Sequence, residues 1–431
     1  MQGNGLSADQ IRESLRAMRE DDADWRSGRT WSLVYSAGDE HDALIQSAYI
    51  EYFHENGLSP SAFPSLERME REVVGDLLEH LGANIETAGG TMASGGTESI
   101  ILAVKAYRDQ MGHPDPSIVV PSTAHPAFAK AADLLGIRAT FVPVGPDLVA
   151  DVEATTAAID DSTIAVVASA PAFPYGLVDP VTELGDLALS RGVGLHVDAC
   201  LGGIPLPFIR ALGRPVDDFD FSVQGVTSMS VDLHKYGYAA KGASAVLYRD
   251  RQLRNHQFTI FTEWPGGVLA SPTLLGTRPG GAIAAAWAAL RALGEDGYTA
   301  IFQSLMSTVD HLHEGITAIG DLRLIGDPPM SVFAVTSDTK DMFSIADILD
   351  ERGWRTDRQA NPDSIHHIVN PRHVAVVDEY LAALTAAYDL ASPRPEGATG
   401  RKAFYGVTSG VLKSTDVREG LLEDLGSRYD Q

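Results

Sequence analysis

Lys235 lies in the segment 228–238, SMSVDLHKYGY, where small, aromatic and hydroxyl residues surround it. A lysine is usually a solvated surface charge, and a His-Lys pair alone is a weak motif. Burial in such surroundings would lower the pKa of the amine, and a neutral amine forms a Schiff base with a carbonyl group. The segment therefore predicts a reactive amine, provided that a second element supports it.

The second element is a carboxylate that follows a short apolar run. Asp198 comes after the segment 194–197, GLHV, which has strand character. Ligands of open α/β sheets collect at the carboxyl ends of the strands, and a buried carboxylate there must be paired. A protonated pyridine nitrogen is a suitable partner, because pyridoxal cofactors use an acidic side chain in that place. For Asp198 alone, a helix cap or a structural ion pair is the preferred interpretation.

The third element is the segment 91–98, TMASGGTE, which precedes a helical face of apolar residues. Gly95, Gly96 and Thr97 at a helix start would expose several backbone N–H groups, and the helix dipole favours a bound anion there. The segment lacks the Lys-Ser or Lys-Thr pair of a Walker loop and the Gly-x-Gly-x-x-Gly pattern of a dinucleotide site. It predicts a phosphate cup, although a plain turn and helix cap explain these residues alone equally well.

Short β-branched runs separated by helical stretches must position these residues. The runs lie at 118–120, 139–142, 164–167, 194–197 and 244–247. Apolar runs without strict alternation are typical of strands covered on both faces, and the helices between them fit crossover connections. The pattern predicts an α/β protein with a mostly parallel sheet.

Three segments are predicted along the chain: an N-terminal helical segment with a substrate loop (1–65), a large cofactor domain (66–305) and a small C-terminal α/β domain (306–431). The first segment begins with an amphipathic helix that carries Ile11, Leu15 and Met18. Further helices are expected at 43–53, 66–81, 282–293, near 345–349 and at 374–388. Strands are expected at 331–335 and 365–369, and a loop at 391–397.

The composition excludes several classes of protein. The 431 residues include 33 basic and 58 acidic side chains, and the formal net charge of −25 disfavours broad binding to nucleic acids or anionic membranes. Cys200 is the single cysteine, the first thirty residues lack an apolar signal, and no apolar run approaches the ~20 residues that span a bilayer. These features predict a soluble, cytoplasmic protein without an integral membrane segment.

No metal site is predicted. His366, His367 and His373 lie in a region of ordinary strand and helix pattern, without cysteine or acidic residues at ligand spacing. Cys200 is interpreted as a small buried thiol beside the site and not as a nucleophile.

Three motifs together resemble the sphingosine-1-phosphate lyase family, within the group II pyridoxal-dependent decarboxylase superfamily. They are SGGTES (94–99), HVDACLGG (196–203) and DLHKYGY (232–238). The resemblance extends from about Tyr35 through Gly281 and, more weakly, to Tyr405 and Gly406. It implies a fold of the pyridoxal-phosphate-dependent transferase type (fold type I), with a seven-stranded sheet in the large domain.

The resemblance also implies roles for individual residues around pyridoxal 5'-phosphate. Lys235 would carry the cofactor as a Schiff base, Asp198 would pair with the pyridinium nitrogen, and His125 would stack on the ring. The other implied cofactor ligands would contact the phosphate or help to orient the cofactor: Gly95, Gly96, Thr97, His234, and Gly276 and Thr277 from a neighbouring subunit. The resemblance therefore implies a homodimer with shared active sites.

Four residues are expected to contact the substrate. Tyr35 and Lys241 match family residues near the reacting carbon, and either could act as a base, as could a phosphate oxygen of the cofactor. Asn56 and Ser59 match the loop that binds the substrate phosphate. The family commonly has histidine where this chain has Ser59, and Tyr175 also replaces a more usual histidine.

The implied reaction is a retro-aldol cleavage of a phosphorylated long-chain base to a fatty aldehyde and phosphoethanolamine. A pyridoxal-dependent amino-acid decarboxylase is the alternative, because the same cofactor site serves both reactions. The form HVDACLGG, without the alanine-tryptophan pair common in decarboxylases, favours the lyase. A non-catalytic binding protein that kept the fold is disfavoured by the presence of Lys235, Asp198 and His125.

Overall fold

The computed structural model describes residues 5–395, together with Leu421 and Gly426. The weaker resemblance at Tyr405 and Gly406 and the end of the predicted loop 391–397 lie outside these described residues.

The N-terminal region contains three α-helices, α1 (Ala8–Ala17), α2 (Asp39–Glu51) and α3 (Pro64–His80). Ser7 and Gln10 form a capping box at the start of α1, which satisfies backbone N–H groups that the helix itself cannot. The predicted amphipathic helix is confirmed, and no residue of α1 is buried in the single chain. Its apolar face is therefore exposed to solvent.

Seven strands form the main sheet, in the order β1-β7-β6-β5-β4-β2-β3. Their bounds are β1 (Gly89–Ala93), β2 (Ser117–Pro121), β3 (Arg138–Val142), β4 (Thr163–Ser169), β5 (Gly194–Asp198), β6 (Ser228–Val231) and β7 (Ser244–Tyr248). Four of the pairings are parallel, and β7 runs antiparallel to both of its neighbours. The predicted mostly parallel, seven-stranded α/β sheet is confirmed.

Helices connect and cover these strands, with bounds α4 (Gly96–Met111), α5 (Ala127–Leu135), α6 (Val152–Ala158), α7 (Val181–Arg191), α8 (Pro205–Ala211) and α9 (Arg251–Asn255). Strands β2, β4, β6 and β7 are buried along their whole length, as expected for a sheet with helices on both faces. Successive residues 118–120 of β2 and 165–168 of β4 alternate between two apolar clusters, because successive side chains point to opposite faces.

A hairpin of β8 (Thr259–Phe261) and β9 (Leu269–Ser271) leads into the long helix α10 (Gly280–Thr317), which is kinked at Gly294. The predicted helix at 282–293 is therefore the first part of a longer element. Because α10 runs through residue 305, it spans the predicted boundary between the large and small domains. The division into three segments stays a prediction.

A second sheet follows α10. It has the order β10-β11-β13-β12, all antiparallel, with β10 (Arg323–Leu324), β11 (Val332–Thr336), β12 (Asp357–Gln359) and β13 (Ser364–Ile368). Helix α11 (Met342–Glu351) packs on β12 and β13, and α12 (Val377–Leu390) packs on α11 and α10. The strands and helices predicted for this region are confirmed, with small shifts of their ends.

Candidate active site

The carboxyl ends of β5 and β6 and the start of α4 meet around one cavity of about 540 Å³. Because β5 and β6 are parallel neighbours, Asp198 at the end of β5 lies close to Asp232, which follows β6. The cavity is lined by Ser94, Gly95, Gly96, Thr97, Glu98, Ile100, Ile101, His125, Asp198, Cys200, Asp232, His234, Lys235, Leu274 and Leu275. The structure thus brings all the predicted cofactor ligands together except Gly276 and Thr277.

Lys235 is held by an ion pair that the sequence analysis missed. Its Nζ lies 3.0 Å from Oδ2 of Asp232, a carboxylate that is 3% exposed. Burial is the largest single effect and opposes the ammonium form, but Asp232 and the other surrounding groups together outweigh it and raise the pKa of Lys235 well above its ordinary value. Burial lowers the pKa of this amine, as predicted, but the neighbouring groups reverse the net shift, so the expected low pKa is not found. The three-residue spacing of Asp232 and Lys235 was the available signal.

Asp198 is the last residue of β5. Its Oδ1 accepts hydrogen bonds from the backbone N–H of Cys200 and from Oγ of Ser230, both at 3.1 Å. Ser230 is its register partner on β6, so the sheet itself supplies this contact. These two bonds fix the direction of a buried carboxylate that lines the cavity.

The start of α4 forms the predicted cup. Gly95 has an extended backbone, and Gly96 begins the 16-residue helix. A Cβ atom at Gly96 would lie 2.8 Å from Sγ of Cys200 and 2.9 Å from Oδ2 of Asp232, so only glycine fits there. Close approach to Gly96 and the helix N-terminus together suit this surface to an anion.

Glu98 is a second buried carboxylate that the sequence analysis did not single out. It accepts hydrogen bonds from the backbone N–H and Oγ of Ser94, both at 2.6 Å. It also accepts from the backbone N–H groups of Leu274, at 2.8 Å, and Leu275, at 3.3 Å. Glu98 therefore joins the cup to the loop that precedes α10.

Two predicted histidines face the cavity with one ring nitrogen already engaged. Nδ1 of His125 accepts the backbone N–H of Ala127 at 3.1 Å, and Nδ1 of His234 donates to the carbonyl of Ala243 at 2.8 Å. Burial lowers the pKa of both rings. A neutral His125 suits stacking on a flat heterocycle.

Cys200 also lines the cavity. Burial raises the pKa of its thiol well above the ordinary value, which keeps it protonated and a poor nucleophile.

Tyr35 and Lys241 contact each other outside the set of lining residues. Nζ of Lys241 lies 5.2 Å from the centroid of the Tyr35 ring and donates to the carbonyl of Leu33 at 3.2 Å. Burial, together with the nearby charge of Lys235, lowers the pKa of Lys241. A more easily deprotonated amine is suited to proton transfer near neutral pH.

The two predicted phosphate loops contact each other. Asn56 forms an antiparallel bridge with Pro279, and Arg278 donates to the carbonyl of Gly57 at 3.3 Å. Four predicted residues of these loops lie outside the set that lines the cavity of their own chain: Asn56, Ser59, Gly276 and Thr277. Of these, Gly276 and Thr277 are exposed.

Tyr175 and the C-terminal histidines have structural partners. The hydroxyl of Tyr175 donates to the carbonyl of Asn361 at 2.6 Å. Nε2 of His366 donates to the carbonyl of Phe173 at 2.8 Å, and Nε2 of His373 donates to that of Thr30 at 2.9 Å. His367 forms a short hydrogen bond with the hydroxyl of Tyr380.

Around one cavity of this sheet lie a lysine, a carboxylate at a strand end and a glycine-lined helix start. This arrangement defines a pyridoxal-phosphate-dependent enzyme of fold type I. The comparisons with known proteins agree. The pyridoxal-dependent decarboxylase conserved domain matches residues 23–335. Sphingosine-1-phosphate lyase of Arabidopsis thaliana is 43% identical over 97% of this chain and 79% of its own length. The chain belongs to the sphingosine-1-phosphate lyase family, and its cofactor is pyridoxal 5'-phosphate.

Two further relatives place the chain within its superfamily. The solved sphingosine-1-phosphate lyase of Burkholderia pseudomallei has a TM-score of 0.87 and 39% identity, covering 90% of this chain and 92% of that one. An L-aspartate/L-glutamate decarboxylase of Pyrococcus horikoshii is 32% identical over 81% of this chain and 90% of its own length. The lyases are therefore the nearer of these relatives. Among the described residues, none of the helices is both long and apolar enough to traverse a bilayer.

Proposed function

We propose that this enzyme cleaves a phosphorylated long-chain base of the sphingosine 1-phosphate type, giving a fatty aldehyde and phosphoethanolamine. One observation carries the proposal: Lys235, Asp198 and the start of α4 line the same cavity. The identity to lyases along nearly the whole chain gives the reaction class.

The residues present fit the cofactor. Gly96 leaves a cradle that a Cβ atom would fill, and a phosphate at this place would meet the N-terminus of α4. Asp198 offers a fixed carboxylate for a ring nitrogen, and Lys235 offers the amine that carries an aldehyde. When bound, the cofactor supplies an electron sink for the negative charge left on Cα after the Cα–Cβ bond breaks.

The chain's own residues orient the substrate and move protons. Asp198 would hold a proton on the ring nitrogen, and the flat ring of His125 would cover the heterocycle. A base must take the proton of the β-hydroxyl for the carbon–carbon bond to break. Lys241 and Tyr35 are the candidates, and the lowered pKa of Lys241 favours the lysine.

Substrate recognition would use Asn56 and Ser59, together with Tyr35 and Lys241. Asn56 and Ser59 belong to the loop that is bridged to Pro279. Ser59 can donate a single hydrogen bond to a phosphate where a histidine could also supply charge. We therefore propose that this loop binds the substrate phosphate less tightly than a histidine-bearing loop would.

We also propose that the enzyme is a homodimer with shared active sites. The hairpin β8–β9 and its turn expose the apolar side chains of Ile260, Phe261, Trp264 and Val268. Large exposed apolar patches mark interaction surfaces. Gly276 and Thr277 are exposed and do not line their own cavity, as expected if they reach the cavity of a partner. A cytoplasmic location stays a prediction from the composition.

Product analysis tests the reaction. The purified chain, loaded with pyridoxal 5'-phosphate, is incubated with sphingosine 1-phosphate and separately with aspartate and glutamate. We expect a fatty aldehyde and phosphoethanolamine in equal amounts, no carbon dioxide, and loss of products in Lys235→Ala. Carbon dioxide from an amino acid, without aldehyde from the lipid, would establish the decarboxylase instead.

Mixing two inactive variants tests the shared sites. The Lys235→Ala variant lacks the amine that carries the cofactor. In the Thr277→Trp variant, the large side chain would prevent the loop from entering the neighbouring cavity. If the loop reaches the neighbouring cavity, mixed dimers contain one site with both intact residues, and activity returns to about a quarter of the wild-type level in a statistical mixture. No recovery in mixtures shown to exchange subunits would contradict sharing.

A further inference from the structure

Tyr35, a proposed substrate contact, lies on an irregular segment of the chain. Residues 31–38 belong to no helix or strand, so they have no regular ladder of hydrogen bonds that would fix their shape. Leu33 has a φ of 71°, which is unfavourable for a bulky residue, and its carbonyl accepts a hydrogen bond from Nζ of Lys241 at 3.2 Å. The position of Tyr35 therefore depends on contacts with other elements. Residues 369–372, the anchor turn, supply several of them.

The anchor turn follows β13 and binds the segment on both sides of Tyr35. Nδ2 of Asn370 donates to the carbonyl of Val34 at 3.1 Å. Nε of Arg372 donates to Oγ of Ser36, also at 3.1 Å. Asn370 and Ser36 are buried, so these bonds are shielded from water. The residues immediately before and after Tyr35 are thus bound to the same turn.

Arg372 also fixes the start of α2. Its Nη2 pairs with Asp39 and, at 3.1 Å, with Oδ2 of Asp42. Oγ of Ser36 donates to the same oxygen of Asp42 at 2.7 Å. Hydrogen bonds between charged groups are stronger than those between neutral ones. The chain that leaves Tyr35 is therefore held by a connected set of polar contacts.

The anchor turn contacts the neighbour of the cofactor lysine as well. Tyr236 directly follows Lys235, and its hydroxyl donates to the carbonyl of Val369 at 3.0 Å. The ring centroids of Tyr236 and Tyr35 are 5.0 Å apart, in an edge-to-face arrangement. One turn thus binds the residues next to Tyr35 and the residue next to Lys235, and so fixes the two side chains relative to each other.

We propose that Asn370 and Arg372 are positioning residues for Tyr35. They act through the backbone before Tyr35 and through the hydroxyl of Ser36 after it, and they do not contact the substrate. A misplacement of about 1 Å can reduce a rate by about 100-fold, so bonds that hold the phenol in place affect turnover. This inference rests on the role of Tyr35 in the proposed lyase reaction.

A double-mutant cycle on the full chain, loaded with pyridoxal 5'-phosphate, tests Asn370. Asn370→Asp keeps Oδ1, which accepts the backbone N–H of Arg372 at 3.0 Å, but it loses the donor to Val34. We expect kcat for aldehyde formation to fall about tenfold or more, with a smaller change in KM. In a Tyr35→Phe background the same change should lower kcat less than about twofold, because the hydroxyl that it misplaces is already absent. Asn370→Ser, which also suits a helix cap, gives the same test if the aspartate variant does not fold.

The cycle separates this inference from the proposed function. Equal reductions of kcat in the two backgrounds, or full activity in Tyr35→Phe, would overturn the inference. A wild-type enzyme that releases no aldehyde from sphingosine 1-phosphate would instead refute the proposed function. If Tyr35→Phe has no measurable turnover, the comparison of two arginines decides.

Arg358 is the matched control for Arg372. It pairs with Asp347 and Asp350, just as Arg372 pairs with two aspartates, and the two arginine side chains are 25% and 16% exposed. Arg372→Gln should lower kcat about tenfold or more. Arg358→Gln loses a comparable ion pair and should leave kcat within about twofold of the wild type. Equal losses would contradict the role of Arg372.

Hydrogen exchange of the cofactor-free chain gives a measure that does not depend on activity. Peptides that cover residues 31–38 should exchange faster in Asn370→Asp and in Arg372→Gln, because local opening of this segment becomes easier. Peptides of β4 should keep their rates, and Arg358→Gln should leave residues 31–38 unchanged. Unchanged exchange of residues 31–38 in the folded Asn370 and Arg372 variants, or faster exchange along the whole chain, would overturn the inference.

Discussion

Glu98 Oε1 accepts the backbone N–H of Leu274 at 2.8 Å, and this contact joins the start of α4 to the loop before α10. The other oxygen accepts two hydrogen bonds from Ser94. Both oxygens of the Glu98 carboxylate therefore accept hydrogen bonds. The loop and the cup keep their relative positions because both depend on one buried side chain.

Replacement of Glu98 by glutamine should weaken this contact between the start of α4 and the loop before α10. An amide turns a donor toward at least one N–H group, and an unsatisfied buried group costs about 1–3 kcal/mol. We expect that loss in the free energy of unfolding and weaker binding of pyridoxal 5'-phosphate, measured by urea denaturation and by cofactor titration. Glu67→Gln, on the exposed face of α3, is the control. Equal effects of the two changes would contradict the assignment.

The two cup glycines should respond differently to alanine. A Cβ atom at Gly95 has its nearest neighbour, Cε1 of His234, at 3.8 Å, an ordinary contact. A Cβ atom at Gly96 would be 2.8 Å from Sγ of Cys200. Overpacking of this kind costs about 1–3 kcal/mol, so Gly96→Ala should weaken cofactor binding about tenfold or more, and Gly95→Ala much less. Cofactor titration of both variants decides, and the reverse order would show that the cup is shaped otherwise.

The guanidinium group of Arg278 should be required for the full stability of the fold. It forms a two-bond ion pair with Glu70, at 2.7 and 2.9 Å, and donates to the carbonyls of Met92 and Gly57. Lysine cannot reproduce the planar fork, so Arg278→Lys should cost about 2–4 kcal/mol of the free energy of unfolding. Arg291→Lys changes a more exposed ion pair and should cost less than about 1 kcal/mol. Similar losses in urea denaturation would contradict this prediction.

Lys241 should affect turnover more than substrate binding. Its pKa is lowered by burial and by Lys235, which increases the share of free amine that can accept a proton. Loss of a general base lowers the rate about 100-fold or more, so Lys241→Gln should reduce kcat by a larger factor than it raises KM. Tyr35→Phe keeps the ring beside the amine and is the matched comparison. A change in KM alone would assign Lys241 to substrate binding.

The sequence predicted those strands whose side chains favour extended structure. The β-branched runs of β2 and β4 lie where they were expected. Strand β1, GGTMA, has two glycines, and β6, SMSV, alternates small polar residues with apolar ones. Pairing with β7 forms both of them, and such tertiary contacts leave no local pattern.

The sequence named residues that the structure places around one cavity, but it did not predict the electrostatics there. Motif order along the chain is enough to locate Lys235, Asp198 and Gly96. The pKa of Lys235 depends on whether desolvation or the sum of the surrounding charges, with Asp232 at 3.0 Å, has the larger effect, and only the folded chain fixes those distances. Glu98 was overlooked because its partners include Leu274, which is 176 residues away in the sequence.

Acid should destabilise the protein through buried histidines. Burial lowers the pKa of His196, His366 and His373 to about 4, from 6.5 in the unfolded chain. Between these two pKa values, the three histidines bind protons in the unfolded chain but not in the folded chain. Each histidine thus contributes roughly 3 kcal/mol above pH 6.5, which is lost as the pH falls toward 4. Asp179 opposes the trend, since burial raises its pKa to about 6 and the folded chain gains its proton first.

Because three histidines lower the stability in acid and one aspartate raises it, the free energy of unfolding should fall on acidification. Urea denaturation at pH 7.5, 6 and 5 measures this fall. His366→Gln removes one histidine that binds a proton only in the unfolded chain. The decline of the free energy of unfolding from pH 6 to pH 5 should therefore become shallower by up to about 1.4 kcal/mol per pH unit, the effect of one proton. A slope that is unchanged in His366→Gln would mean that His366 is not the neutral, buried ring that its contact with Phe173 describes.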